Sequence, residues 1–216
     1  MCIDYAKALL NTNNPGDCID VLNKTLILPQ EGAAEGHEIY ERANIELALN
    51  NIEAKKYKAA IKYLNQAKEF PENLGSGKPY DTDYRIEEYL LAFCEQKLGK
   101  KQKSLQSYQQ IMDYSSDTEK FNNGNIANNY LSLIVLKKMG KEMEANELVK
   151  GWKHFEDSLN TWHISNAIQS PQMEWVLVKY NSPSASTSDL ENRIVGIGNE
   201  TRLGLLFRAL KAVEEK

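Results

Sequence analysis

Glycines followed by a lysine are what a phosphate-cradling loop requires, and Gly75-Ser76-Gly77-Lys78-Pro79 has that composition. Its spacing fails. Such a loop needs a glycine five residues before its second glycine and a Ser or Thr after the lysine to reach magnesium, but Glu72 and Pro79 stand there. Gly196-Ile197-Gly198 lacks the third glycine of a dinucleotide turn and follows no clear strand. The histidines, His37, His154 and His163, lie in no HExxH, and none is three or four residues from another His or a Cys. Glu87 with Glu88 and Asp81 with Asp83 are paired acids of the kind that solvate a surface, whereas a glycosidase needs two acids facing each other across a pocket. No Ser-His-Asp grouping stands out. The expectation is a protein that is not an enzyme, with no cofactor and no metal.

What remains are side chains suited to holding a partner, and these gain meaning only from the elements that carry them. Four segments share one pattern: a helical run, a turn, and a second run with a small or apolar residue five positions on. The turns are marked by Gly16, Lys55-Lys56-Tyr57, Gly99 and Gly140, and the following positions by Val21, Ala60, Ser104 and Ala145, at intervals of 39, 44 and 41 residues. Apolar spacing inside the units is helical, as in Ile61, Leu64 and Ala67. A small residue after the turn lets two helices cross closely. One helix pair cannot cover its own apolar face, so stacked neighbours must supply the core.

Helix pairs repeated in this way resemble tetratricopeptide repeats, whose period is about 34 residues. The longer intervals here require long loops: 29–36 after the first unit, 71–83 after the second and 115–118 after the third. The expected fold is all-α, a tetratricopeptide-like right-handed superhelix of antiparallel helix pairs over residues 1–158, with a helical C-terminal cap over 159–216. In the cap, Asn160 to Ile164 starts a helical run and Ser170-Pro171 reads as an N-cap with proline behind it. Trp175 is available for packing, 181–188 is a polar break, and Asn199 caps a last amphipathic helix through Leu203, Leu206, Phe207, Leu210 and Val213.

Two loops carry a narrower resemblance. PENLGSGKPYD (71–81) after AIKYLNQAKEFP, and LPQEG (28–32) after GDCIDVLNKTLI, resemble the C-terminal repeats of large bacterial carbohydrate-associated proteins with a β-rich N-terminal domain of unknown function. The likeness covers about the first 150 residues. It implies a helical array appended to a larger protein, and it supplies no catalytic residue.

In this repeat class the first helices line the concave face. Aligning Gly99 with Gly140 places Tyr89 and Tyr130 at one position, Phe93 and Ile134 four residues on, and Gln96, Lys97, Lys137 and Lys138 near the turns. Asn13, Asn14 and Glu53 take the corresponding places in the earlier units. Rings beside lysines would suit an acidic peptide, and packing of the two tyrosines between units is the competing account. The 71–83 loop offers Glu72, Asn73, Lys78, Tyr80 and Asp81, either as ligand contacts or as part of a clamp with Leu74 and Tyr80 as plugs.

A net charge of -4 and a pI near 5.5 give a nucleic-acid or anionic-membrane partner no support, and the basic run Lys97 to Lys103 reads as a solvated turn. No run approaches the roughly 20 apolar residues of a membrane span, and Met1-Cys2-Ile3-Asp4-Tyr5 is unlike a signal peptide. Cys2, Cys18 and Cys94 are odd in number and form no CxxC, which fits reduced thiols in the cytoplasm and equally fits a piece cut from a larger protein. Asp4 to Leu10 already reads as a helix, which fits an expression start at Met1. The expected function is a non-catalytic scaffold binding a peptide, a protein segment or another domain of its parent protein. The alternative is an accessory module that contacts glycan.

Overall fold

The computed structural model describes residues 2–29, 34–116, 128–158, 171–182, 184–186, 188–190 and 202–214. The expected helix at Asn160–Ile164, the caps Ser170 and Asn199, and Gly196–Gly198 lie outside the described residues, as do parts of the first and third inter-unit loops. The protein is all-helical, with no strands among the described residues. Its helices are α1 (Cys2–Asn11), α2 (Pro15–Asn23), α3 (Glu35–Glu53), α4 (Tyr57–Ala67), α5 (Arg85–Lys97), α6 (Lys101–Ser115), α7 (Asn129–Lys138), α8 (Glu142–Ser158), α9 (Pro171–Asn181) and α10 (Arg202–Glu214), with a 3₁₀ turn at Glu72–Leu74. The chain divides into two compact units, Met1–Ser107 with Phe207–Lys216, and Tyr108–Leu206. The division falls inside α6, and the last residues belong to the same unit as the first helices.

The repeat is written in the turns. Asn13, Lys55, Gly99 and Gly140 all have positive φ, from 58° to 74°, and follow one another at 42, 44 and 41 residues. Each closes a helix with the same two main-chain bonds. Asn13 donates to Leu10 O and Asn14 to Leu9 O, Lys55 to Ile52 O and Lys56 to Asn51 O, Gly99 to Gln96 O and Lys100 to Glu95 O, Gly140 to Lys137 O and Lys141 to Leu136 O. This is the Schellman arrangement, which satisfies carbonyls the helix end leaves open.

The turn geometry corrects the register of the first unit. Gly16 lies inside α2, where an added Cβ would meet nothing within 4 Å, and the left-handed residue is Asn13. Five positions after each left-handed residue come Cys18, Ala60, Ser104 and Ala145, all buried. Val21, the sequence-based choice, is only half-buried because it lies three residues out of register. Asparagine is among the few residues that take this conformation at low cost, and Pro15 suits the first position of α2.

In the first unit α1 packs on α2 and α3, α2 on α3, α3 on α4 and α4 on α5. Ala6, Leu10, Cys18, Leu22, Ile39, Tyr40, Ala43 and Leu74 form a core between the first two pairs. In the second unit α7 packs on α8 and α9, with Leu131, Leu133, Leu136, Ala145 and Val149 buried. There Tyr130 meets Trp175 edge to face, 5.0 Å between ring centres, and Ser115 Oγ lies 2.5 Å from Ser132 Oγ.

Candidate functional site

The loop after α4 does two jobs. Its first half is a clamp. Leu74 is buried in the core between the helix pairs. Asn73 Nδ2 donates to Leu22 O at 2.9 Å and Thr25 O at 2.8 Å, and Asn73 O accepts from Ile27 N at 2.8 Å. The amide therefore completes the C-terminus of α2, a helix 51 residues earlier in the chain. Gly75 sits at φ +69°, where a Cβ would stand 2.7 Å from Ile27 O, so only glycine lets the two backbones approach this closely.

The second half borders an open cleft of about 380 Å³ lined by Ala34, His37, Glu38, Glu41, Phe70, Gly75, Ser76, Gly77, Pro79 and Thr82. Its floor is pinned. The His37 ring stacks on Phe70 at 3.5 Å, and its Nε2 donates to Glu69 O at 3.1 Å. Both His37 and Glu41 are buried, while Glu38 is exposed. At the loop's far end Arg85 Nε and Nη2 each lie 2.9 Å from the Asp83 carboxylate, which also accepts the Arg85 amide. This buried fork fixes the start of α5. Nearby, Lys68 Nζ reaches Glu88 at 2.5 Å, and Lys68 and Lys78 lie over the Tyr84 ring.

The residues expected from sequence separate accordingly. Asn73 is turned onto α2 and Lys78 onto Tyr84, whereas Glu72 and Asp81 are exposed. Tyr80 is fully exposed, so it plugs nothing; only Leu74 does. Tyr89 and Tyr130 are 2% and 7% exposed, so no partner touches either ring without unpacking the core. Phe93 is buried against Tyr57, with Lys97 Nζ 5.3 Å above its ring. Ile134 is half-buried, and Gln96, Lys97, Lys137 and Lys138 are exposed at the turns. Lys137 already has work: its Nζ donates to Tyr180 O at 3.2 Å and lies 4.2 Å from that ring. Of the two accounts of Tyr89 and Tyr130, groove or packing between units, their burial favours packing, with a lysine fringe at the turns.

A different surface brings polar groups to a partner segment. On α3, Glu46, Leu49, Asn50 and Glu53 line a cleft with Asn13, and its other wall is Arg208, Lys211 and Ala212 of the chain's own last helix. The Arg208 guanidinium pairs with the Glu46 carboxylate. Ala209, Leu210 and Ala212 are buried, leaving Lys211 exposed at the rim opposite Glu53. Asn13 and Glu53 were expected at a groove; Glu46, Asn50 and the C-terminal pair carry no sequence signal beyond their charges.

The buried thiols are chemically quiet. Burial pushes Cys18 up to about 11, with Arg42 opposing, and pushes Cys94 up to about 12 with help from Glu95. Cys2 is exposed. No group of three metal-ligating side chains occurs among the described residues, and no described helix is long and apolar enough to cross a membrane. No protein-family model, no curated protein and no solved structure matches the chain. The functional interpretation therefore rests on the chain's own geometry.

Proposed function

We propose that the protein is a non-catalytic interaction module, built of tetratricopeptide-like helix pairs, that holds a protein segment against α3. The fold assignment draws on the four identical turns at 41 to 44 residues. The functional one is carried by a single observation: a helical segment of the chain, through Arg208, Lys211 and Ala212, already lines a cleft against Glu46 and Glu53. A segment laid in that cleft would meet carboxylates on the α3 wall and basic side chains on the α10 wall. Hydrogen exchange on the full chain tests this. Glu46→Gln/Glu53→Gln should speed exchange of the amides at 207–214 while those of α3 to α5 keep their protection. Unchanged exchange at 207–214 would sink the proposal.

One observation favours the glycan-contacting alternative: Tyr80 presents its whole ring to solvent beside the cleft of His37 and Glu41. Aromatic faces next to carboxylates suit sugar rings, whose C–H faces stack while hydroxyls donate. Titration with soluble oligosaccharides should then quench tyrosine fluorescence in the wild type and not in Tyr80→Ala. Identical curves would remove this alternative.

A further inference from the structure

The cleft between α3 and α10 has two fixed walls. On α3, Glu46, Leu49, Asn50 and Glu53 recur at helical spacing and form one stripe, two turns or about 10 Å long. On α10, Arg208, Lys211 and Ala212 form a second stripe. The buried side chains of Ala209, Leu210 and Ala212 and the Arg208–Glu46 pair keep α10 in place. Leu49 and Ala212, both buried, give the cleft apolar surface at its base.

Size decides the conformation of what fits between the walls. The cleft encloses about 410 Å³. An extended chain occupies about 4.8 Å by 10 Å in section, so 10 Å of it fills roughly 480 Å³. A helix is about 10–12 Å across with its side chains, and the same length fills roughly twice the cleft. An extended segment advances about 3.3 Å per residue, so about three residues cover the α3 stripe.

The polar groups agree with that choice. Asn44 and Asn51 of α3 turn their amides back on their own helix, donating to Tyr40 O at 2.9 Å and Leu47 O at 2.7 Å. Asn50 instead lines the cleft and is exposed, as is Asn13 at the turn before α2. A side-chain amide both donates and accepts, which matches the N–H and C=O groups that an extended main chain offers and a helix uses internally. The charges then set the side chains. Glu46 and Arg208 pair with each other, whereas Glu53 on one wall and Lys211 on the other are exposed. Successive side chains of an extended chain point to opposite sides, so neighbouring residues meet opposite walls.

We infer that the cleft recognises an extended peptide in which a basic and an acidic residue are adjacent, the basic one directed to Glu53 and the acidic one to Lys211, with Asn50 on the peptide main chain. The inference rests on the interaction-module proposal and adds the partner's conformation and pattern.

The test uses the full chain and fluorescein-labelled hexapeptides blocked at both ends, read by fluorescence anisotropy. Thr-Thr-Lys-Glu-Thr-Thr should bind about fivefold tighter than its isomer Thr-Thr-Lys-Thr-Glu-Thr, in which both charges face one wall. Lys211→Glu makes both walls acidic and should move the preference to Thr-Thr-Lys-Lys-Thr-Thr. Glu53→Lys should move it to Thr-Thr-Glu-Glu-Thr-Thr. Asn50→Ala should weaken every peptide alike, because main-chain bonds ignore side-chain identity. Equal binding of the two isomers, or a preference that neither charge reversal moves, would overturn the inference. If a single-sign peptide binds best to the wild type, the cleft holds a segment of another pattern; the inference falls and the interaction-module proposal stands. If no peptide binds, the inference falls, and exchange at 207–214 in Glu46→Gln/Glu53→Gln decides whether the module proposal falls with it.

Discussion

Two segments from later in the chain press against the first helix pairs, and opposite means hold them. Residues 73–75 are fixed by the Asn73 side-chain amide on two carbonyls, by the Asn73 main-chain carbonyl accepting from Ile27 N, by a buried leucine and by a glycine where no side chain fits. Residues 208–212 are fixed by an ion pair between a partly exposed guanidinium and the buried Glu46, and by the buried side chains of Ala209, Leu210 and Ala212. Withdrawing the first set would leave Thr25 O and Ile27 N without these partners in a part-buried place, at up to about 1–3 kcal/mol for each one. Withdrawing the second would leave the buried Glu46 without its cation and open the apolar face of Ala209, Leu210 and Ala212 to water. One attachment works through main-chain bonds and a close glycine approach; the other works through side-chain packing and a single charge pair.

Four substitutions probe that contrast. Asp83→Ala removes the carboxylate that grips Arg85 at the loop's far end, and loss of one member of a buried pair should cost about 3–5 kcal/mol, read by urea unfolding. Gly75→Ala forces a side chain at φ +69° against Ile27 O and should cost about 2–4 kcal/mol. It should also open the core that Leu74 closes, so that Cys18 joins Cys2 in reacting with a thiol reagent at neutral pH; a single reactive thiol in that variant would contradict the clamp. Lys55→Gly touches neither segment and relieves a left-handed non-glycine residue, so it should raise stability by about 1 kcal/mol and leave 207–214 exchange unchanged. Arg208→Ala leaves the buried Glu46 without its cation and should lower global stability by about 1 kcal/mol, the partly exposed guanidinium discounting the cost. A loss comparable to Gly75→Ala would show that the ion pair holds residues 208–212 as firmly as the clamp holds its loop.

What the sequence revealed follows the range of the interactions. Turns and stripes are local, so three of the four units could be placed by Lys55, Gly99 and Gly140. The first slipped because Gly16 looks like the helix-ending residue, while Asn13 takes that conformation and glycine sits harmlessly in α2. Leu74 was readable as a plug because an isolated leucine among polar residues needs somewhere to go. Tyr80, equally apolar at its ring, goes nowhere. Equivalent positions led to Tyr89 and Tyr130, but equivalence identifies a shared environment without saying whether that environment is core or surface, and here it is core. The pairing of Arg208 with Glu46 spans most of the chain. No periodicity encodes such a contact, and charge alone leaves too many partners.

The Asn73 cap has a consequence for how the protein is made. The C-terminus of α2 is completed by a side chain that reaches the ribosome's exit only after α3 and α4 have been synthesised. A nascent chain stopped before residue 73 would hold α1 and α2 with Leu22 O and Thr25 O lacking the Asn73 amide and the place of Leu74 empty. The first helix pair therefore matures after the second has emerged, and the amino-terminal end of the chain is the part that waits.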